Sequence, residues 1–306
     1  MPIIVGAPRS GTTLLRFMLD SHPEIAIPPE TGFLALFPHF KSKGDALREE
    51  FFRTVTDFPP NAAAWLDFQI PKETFWAKLL EIEPFAIDDG YRSFYLLYAS
   101  RFAKPRWGDK TPSYCHHMRS IEEVLPEAHF IHIIRDGRDV ALSLRRMWFS
   151  PGPEIDVQAK HWSDFVTSAR NQGAGCRHYL EVRYEELILN SRETLMRVCE
   201  FLNLSYDDAM LTYWVRSPQR LKEHKPRYNS DGAVVVSKKQ RVLQQSATTE
   251  PPDRHRVFSW KLGMSLEERA AFEHVAGALL QELGYETLVT ESQLANGLDE
   301  ANGLRS

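Results

Sequence analysis

The sequence predicts an α/β fold in which a parallel β-sheet is flanked by helices on both faces. Strand-like runs alternate with helix-like patterns along the chain, and this alternation indicates a parallel sheet. Residues 130–134 are apolar throughout, as expected of a parallel strand that is covered on both faces. Residues 3–5 have the same character. No linker is evident before residue 216, so we predict one domain over residues 1–285 and a polar tail over 286–306.

The other elements follow from apolar periodicity and from start and stop signals. Helices are predicted over residues 12–21, 31–56, 72–82, 90–103, 156–171, 191–203 (with Ser191 as N-cap) and 265–283, and from about residue 140. Short strands are predicted at residues 24–27, near Trp107 and at 178–183. The last helix has the clearest signals, because Ser265 precedes it, Glu268 follows three residues later and Gly284 ends it.

Composition limits the function classes. The chain has 306 residues, is 43% hydrophobic and carries a net charge of −4, which argues against binding nucleic acid or an anionic membrane through bulk charge. Its three cysteines are widely spaced and are predicted to be free thiols of a reducing compartment. We see neither an apolar run of about 18 residues nor a signal peptide, so a cytoplasmic protein without a membrane span is expected.

A basic segment interrupts this acidic chain. Residues 216–261 contain 11 Lys and Arg against four Asp and Glu, and several prolines indicate that much of the segment is loop. Such a loop could close over an anionic ligand. A solvated surface loop is the alternative interpretation.

An anion-binding loop is predicted directly after the first strand, at residues 6–13. Backbone N–H groups and a helix N-terminus there would point at one phosphate or sulfate. The spacing from Gly6 to Gly11 fits a P-loop, so the sheet is predicted to be of the P-loop type. Thr12 stands where the P-loop lysine belongs, and Arg9 supplies the cation instead, which disfavours Mg·ATP as the ligand. The alternative is a tight turn without a ligand.

A second anion site is predicted where the strand 130–134 ends. Arg135 offers a planar fork for a phosphate, and Ser143 could add a hydroxyl donor from the following helix. Arg135 could instead pair with an acid, Asp136 or Asp139, and Asp136 could serve a Walker-type metal role. Ligands of parallel sheets bind at the carboxyl ends of strands, so both predicted anion sites could face one crevice.

Together these segments resemble the sulfotransferases that use 3′-phosphoadenosine 5′-phosphosulfate (PAPS). Arg-Ser-Gly-Thr-Thr at residues 9–13 is similar to the branch that contains tyrosylprotein sulfotransferases and bacterial relatives. So are His22-Pro23, Glu30-Thr31 and Tyr-Glu-Glu-Leu at residues 184–187. The resemblance runs from residue 3 to about residue 215, with gaps, and returns weakly at residues 260–285.

The resemblance implies roles for individual residues. The 5′-phosphosulfate would be held by the loop residues Arg9, Ser10, Gly11, Thr12 and Thr13. The 3′-phosphate would be held by Arg135 and Ser143, and Tyr184 would line the nucleotide site. Met147 stands where the branch has a further arginine, which Arg145 or Arg146 could replace. Trp260 and Lys261 are the candidates for closing over the nucleotide.

Sulfuryl transfer needs a base for the acceptor hydroxyl and cations for the leaving phosphate. Glu30 matches the position of the family's base, and Lys110 and Arg9 are the cations, with no metal required. Glu30 could instead favour the dipole of the following helix. His22 is the rival base, and Lys110 could be a surface lysine. No metal site is expected at Cys115-His116-His117, because adjacent side chains point in different directions.

The sequence therefore predicts an enzyme that moves a sulfuryl group from PAPS to an acceptor hydroxyl and releases 3′,5′-ADP. Carbohydrates, lipids, phenols and peptide tyrosines are all possible acceptors; a small molecule, a glycan or a lipid is the predicted one, and no nucleic acid is expected. A P-loop kinase or NTPase is the alternative enzyme class. A nucleotide-binding module without turnover is the non-enzymatic alternative.

Overall fold

The computed structural model describes residues 1–60, 62–229 and 231–288. In these residues the strands are β1 (Pro2–Val5), β2 (Ile25–Ala26), β3 (Arg106–Trp107), β4 (Asp109–Lys110), β5 (His129–Ile134), β6 (Tyr179–Arg183), β7 (Arg227–Tyr228) and β8 (Val234–Val236). The α-helices are α1 (Thr12–Asp20), α2 (Gly44–Thr56), α3 (Lys72–Leu80), α4 (Ile87–Ser100), α5 (Met118–Val124), α6 (Gly137–Leu144), α7 (Ile155–Gly173), α8 (Tyr184–Leu189), α9 (Ser191–Phe201), α10 (Ser217–Leu221), α11 (Lys238–Leu243), α12 (Trp260–Gly263) and α13 (Leu266–Glu282). Short 3-10 helices lie at Phe33–His39, Trp65–Asp67, Pro112–His116, Asp208–Val215, Ser246–Thr249 and Arg254–Arg256.

The central sheet is parallel, with the strand order β4-β1-β5-β6. In its register Ile4 of β1 lies between Lys110 of β4 and Ile131 of β5. Parallel strands direct their carboxyl ends to one edge, so the loops that follow β1, β4 and β5 meet there. The described part of the chain thus confirms the predicted parallel sheet.

Helices cover both faces of this sheet, as predicted. Ile3 and Val5 of β1 pack with one apolar cluster, whose other members come largely from helices α4 and α5 and the segments around them. Ile4 points to the opposite face and packs with residues of α1, α8 and α9. This alternation is the two-residue period of a strand, and burial of both faces explains why the strands are apolar throughout.

Some predicted boundaries were wrong. The helix expected over residues 31–56 is a 3-10 helix that ends at His39, followed by α2 from Gly44. Pro38 lies inside the first of these, where proline cannot donate a backbone hydrogen bond to continue an α-helix. Ser191 does not cap α9, since its hydroxyl donates to the Leu187 carbonyl at 2.7 Å. The capping box at Ser265 and Glu268 is confirmed.

The basic segment 216–261 contains short helices and the β7–β8 hairpin, and is therefore less loop-like than predicted. Buried ion pairs hold it against the domain. Arg220 donates to Asp20 from Nε (2.7 Å) and from Nη2 (2.9 Å), and Arg241 donates to both oxygens of Asp67, at 2.9 and 2.7 Å. Most of the predicted polar tail, residues 289–306, lies outside the described residues.

The cysteines Cys115, Cys176 and Cys199 are free thiols. His116, next to Cys115, shares a 2.8 Å hydrogen bond with the Ser168 hydroxyl through Nδ1. In the ranges that the structure describes, no three His, Cys, Asp or Glu side chains are grouped so that they could hold a metal ion. Within the same ranges, no helix has the length and apolar character needed to cross a membrane.

Candidate active site

Two residues of the loop after β1 have backbone conformations that only glycine can adopt. Gly6 has φ = 145°, and a Cβ there would lie 2.5 Å from the Ile133 carbonyl oxygen. Gly11 has φ = 101°, and a Cβ there would lie 2.5 Å from Cδ2 of Tyr184. The loop therefore packs closely on both β5 and α8 before it enters helix α1. This close packing places the N-terminus of α1 at the carboxyl edge of the sheet.

Two groups near this edge lack the partners that buried polar atoms normally have. Ser10 Oγ and Arg135 Nε are both buried and have no hydrogen-bond partner among the residues that the structure describes. Such groups are uncommon in folded proteins unless a ligand, water or ion satisfies them. Acceptor oxygens of anionic groups would satisfy both atoms, so these residues fit a ligand that carries phosphate or sulfate groups.

Arg135 is held in place from several sides. Its guanidinium lies 4.4 Å from the centre of the Tyr184 ring and donates to the Arg256 carbonyl at 2.7 Å. It also approaches Asp139 Oδ2 at 3.5 Å, so the predicted pairing with an acid is present. Asp136 pairs with Arg138 instead and caps α6. Its carboxylate is therefore already engaged and is not free to bind a metal ion.

Arg9 connects the loop to the second predicted anion site. Its Nε donates to Ser143 Oγ at 3.0 Å, and its Nη1 donates to the Gln244 carbonyl at 3.0 Å. Arg135 in turn donates to the Arg9 carbonyl at 3.3 Å. The side chain of Arg9 therefore lies with Ser143, and the two strand-end sites form one continuous surface.

A cavity of about 90 Å³ lies between these groups. The predicted residues that line it are Arg9, Gly11, Thr12, Thr13, Arg135, Ser143 and Tyr184, whereas the predicted Ser10 is fully buried and does not line it. Sequence reasoning missed the lining residues from the basic segment, which are Gln244, Gln245, Ala247, Thr248, Pro252, Asp253 and Arg256. The excess of basic residues was the signal available for Arg256, whereas nothing local marked the uncharged ones.

The segment 244–256 covers this cavity and is tied down by its backbone carbonyls. The hydroxyl of Tyr213 donates to the Glu250 carbonyl at 2.8 Å, and the hydroxyl of Ser217 donates to the Thr248 carbonyl at 2.6 Å. The Gln244 and Arg256 carbonyls accept from the arginines described above. These contacts depend little on the side chains of the covering segment.

The structure does not place Trp260 and Lys261 at this cavity. Trp260 is buried beneath Arg138, whose guanidinium carbon lies 3.5 Å from the Trp260 ring, and its backbone N–H donates to Asp139 at 2.8 Å. Lys261 pairs with Glu286 at 2.6 Å on the surface. Neither residue lines the cavity, which the segment 244–256 covers instead, and closure of Trp260 and Lys261 over a bound nucleotide stays a prediction.

Arg145 and Arg146, which could replace the arginine that is missing at Met147, do not line the cavity either. Arg145 pairs with Glu268 of α13 at 2.6 Å. Arg146 is exposed and is not among the residues that line the cavity. Arg256 is the additional arginine that the structure brings to this site.

Glu30 and Lys110 meet beside the loop. The Lys110 ammonium contacts the Glu30 carboxylate and donates to Thr13 Oγ1 at 3.3 Å. The Lys110 side chain is only 2% exposed, which excludes a surface lysine, whereas the Glu30 side chain is 51% exposed. Glu30 is thus accessible to a second substrate while its cationic partner is buried.

The charges of this pair depend on each other. Burial lowers the pKa of Lys110, and the Glu30 carboxylate opposes that change. Although half of the Glu30 side chain is exposed, the protein around its carboxylate would by itself raise the pKa; the contact with the Lys110 ammonium outweighs this and the pKa of Glu30 is lowered. The geometry therefore keeps Glu30 as a carboxylate, which is the form that can accept a proton.

His22 is occupied by backbone contacts. Its Nε2 lies 2.8 Å from the Ser205 carbonyl, and its Nδ1 accepts from the backbone N–H of Glu24 at 3.1 Å. These partners require the proton on Nε2 and leave Nδ1 engaged. The buried His22 therefore has no free nitrogen with which to act as the rival base.

Comparisons with known proteins identify the family of this chain. The profile of the sulfotransferase family matches residues 3–208. The chain is 28% identical to nodulation protein NoeE of Sinorhizobium fredii, over 98% of its own length and 70% of that protein. It is 25% identical to protein-tyrosine sulfotransferase A of Caenorhabditis elegans, over 92% of its own length and 66% of that protein.

The fold also agrees with a solved structure. The sulfotransferase domain of the Synechococcus PCC 7002 olefin synthase superposes with a TM-score of 0.60, at 24% identity and with 94% of both chains covered. At this identity the superposition supports the fold, and the family profile carries the assignment. Because that profile matches about two thirds of the chain, this protein is an enzyme that belongs to the sulfotransferase family.

Proposed function

We propose that this protein transfers a sulfuryl group from PAPS to an acceptor hydroxyl and releases 3′,5′-ADP. The observation that carries the proposal is the convergence of two anion-binding groups on one cavity, with the Glu30–Lys110 pair joined to it through Thr13. A donor with phosphates at both ends of a nucleoside matches two such groups. The unpartnered Ser10 hydroxyl and Arg135 Nε support the same ligand.

The proposed roles follow from position and charge. Thr12, Thr13, Ser10 and the start of α1 would hold the 5′-phosphosulfate, and Arg135 with Ser143 would hold the 3′-phosphate. Tyr184 would line the nucleotide site between Gly11 and Arg135, both of which it contacts. Arg9, which extends from the loop to Ser143, would neutralise charge on both phosphate groups.

In the proposed reaction the acceptor oxygen attacks sulfur, and the bond from sulfur to the phosphate oxygen breaks. Glu30 accepts the proton of the acceptor hydroxyl. Lys110 stabilises the negative charge that develops on the leaving phosphate oxygen, in a site where its burial strengthens the interaction. Lys110 must loosen its contact with Glu30 to do so, which makes Glu30 a stronger base at the moment it is needed.

The acceptor that we propose is a hydroxyl of a small molecule, a glycan or a lipid, and we place the reaction in the cytoplasm. The related proteins carry the names of a nodulation protein and of protein-tyrosine sulfotransferases. Peptide tyrosines therefore belong in any panel of acceptors that is tested.

Calorimetric titration with 3′,5′-ADP, 5′-AMP and Mg·ATP tests the donor. We expect micromolar or tighter binding of 3′,5′-ADP, weaker binding without the 3′-phosphate, and loss of this preference in Arg135→Ala. Arg192→Ala is a matched control, because Arg192 pairs with Asp208 at 2.7 Å on the surface. A preference for Mg·ATP would favour a kinase or NTPase, and donor binding without transfer to any acceptor would favour a binding module.

A further inference from the structure

Strand β4 itself carries a buried carboxylate. Asp109 immediately precedes Lys110, and its side chain is fully buried. Its oxygens accept hydrogen bonds from three hydroxyl groups, those of Thr31 (2.6 Å), Tyr95 (2.7 Å) and Thr111 (2.8 Å). A buried carboxylate is costly unless its oxygens accept hydrogen bonds. Here both oxygens of Asp109 do so, and each of the three hydroxyl groups has its acceptor.

Two of these donors belong to the backbone segments that carry the reactive pair. Thr31 directly follows Glu30, and Thr111 directly follows Lys110. The backbone N–H of Thr31 also donates to Thr111 Oγ1 at 3.2 Å. Because successive strand residues point to opposite faces, Asp109 fixes β4 from one side while Lys110 reaches the active site on the other.

The hydrogen bonds of this network have one consistent direction. The single hydroxyl proton of Thr31 goes to Asp109, so Tyr114 must donate to Thr31 Oγ1 across their 2.7 Å contact. Tyr114 can do so because its oxygen accepts from the backbone N–H of Leu34 at 3.0 Å. The hydroxyl protons thus point towards the Asp109 carboxylate, and removing the Thr31 hydroxyl would leave the Tyr114 hydroxyl proton without its acceptor.

We propose that Asp109 is a positioning residue, which acts through Thr31 and Thr111 to hold the Glu30 carboxylate against the Lys110 ammonium. The inference rests on the proposed function in one respect, namely that this pair is the reactive pair. Tyr95 provides an internal comparison: it also donates to Asp109, but it belongs to helix α4 and carries neither segment of the pair.

The test is a titration of the Glu30 carboxyl group by NMR in protein labelled with ¹³C-glutamate, with Glu30→Gln to assign its signal. We expect Thr31→Val to raise the pKa of Glu30 by about one pH unit, the lower end of the effect of an opposite charge in contact. Thr31→Ser, which keeps the hydroxyl, should restore the wild-type value. Tyr95→Phe should leave the pKa of Glu30 unchanged, even where it lowers the melting temperature.

Equal shifts in Thr31→Val and Tyr95→Phe, or a shift in neither, would reduce Asp109 to a structural residue. Thr111→Val repeats the test on the Lys110 side if Thr31→Val does not fold. The titration needs neither donor nor acceptor. A protein that shows the Glu30 shift but does not bind 3′,5′-ADP would therefore overturn the proposed function and leave the positioning role intact.

Discussion

The Nε atom of Arg9 donates a 3.0 Å hydrogen bond to the hydroxyl of Ser143, although 134 positions separate the two residues in the chain. Arg9 belongs to the loop after β1, and Ser143 belongs to the helix after β5. Their contact exists because β1 and β5 are neighbours in the parallel sheet. It joins two predicted anion sites into one.

Ser143→Ala should weaken binding of 3′,5′-ADP. A hydrogen bond that involves a charged group contributes about 1.5 kcal/mol or more, so we expect roughly a tenfold rise in Kd. Calorimetry would measure it. Ser150→Ala is the control, since the Ser150 hydroxyl bonds to Gly152 and Gln158 outside the cavity. Equal affinity in Ser143→Ala and the wild type would place the 3′-phosphate elsewhere.

Glu30→Gln should abolish transfer while leaving 3′,5′-ADP affinity unchanged. Loss of a general base costs about 10² to 10⁴ in rate. Transfer of radiolabelled sulfur from PAPS to a panel of phenols, glycans, lipids and tyrosine peptides measures this. Glu24→Gln is the matched control, because Glu24 is exposed and the Lys110 ammonium contacts Glu30 instead. Transfer at the wild-type rate in Glu30→Gln would remove Glu30 as the base.

The pH dependence of transfer gives a separate check on Glu30. The protein around the Glu30 carboxylate would by itself raise its pKa, but Lys110 lowers it below that of an ordinary glutamate. A base must be deprotonated, so kcat/KM, which reports the pKa of the free enzyme, should persist as the pH falls to the ordinary glutamate pKa and decline only below it. A decline that begins well above the ordinary glutamate pKa would contradict the ion pair as the resting state of the site.

Gly11→Ala should reduce both stability and nucleotide binding. The positive φ alone costs an L-residue roughly 1–2 kcal/mol, and the added Cβ would in addition displace the buried Tyr184 ring. Gly44→Ala separates the two effects, because Gly44 has φ = 56° but a Cβ there would meet no atom of the described residues within 4 Å. Urea unfolding should show a larger loss in Gly11→Ala than in Gly44→Ala. Equal losses would mean that Tyr184 gives way easily.

The loop at residues 6–13 and the strand before Arg135 could be predicted because their signals are local. Glycine spacing, an apolar strand and a following helix all lie within about 20 residues of sequence. Pro38 is a local signal for the interruption of the helix predicted over residues 31–56, although the apolar pattern of residues 33–40 favours a continuous helix. Local reasoning is sufficient where one segment determines its own backbone.

The cover of the cavity could not be predicted in the same way. Arg9 meets the Gln244 carbonyl across 235 positions, and the covering segment is held mainly through its carbonyls, which every residue type possesses. Its uncharged residues therefore carry no sequence signal. The same holds for His22, whose burial against Ser205 depends on a distant segment.

The covering segment itself leads to the last prediction, which separates Arg256 from Lys261. Arg256 lines the cavity, whereas Lys261 pairs with Glu286 on the surface. Arg256→Ala should weaken 3′,5′-ADP binding roughly tenfold or more, because it removes a cation that faces the ligand, while its carbonyl contact with Arg135 remains. Arg254→Ala, in the same short helix but outside the cavity lining, serves as the control. Calorimetry at two salt concentrations measures all three variants, since a lost phosphate contact also reduces the salt dependence of binding. If Lys261→Ala weakens binding and Arg256→Ala does not, the bound enzyme closes through α12, as the sequence predicted, and not through residues 244–256.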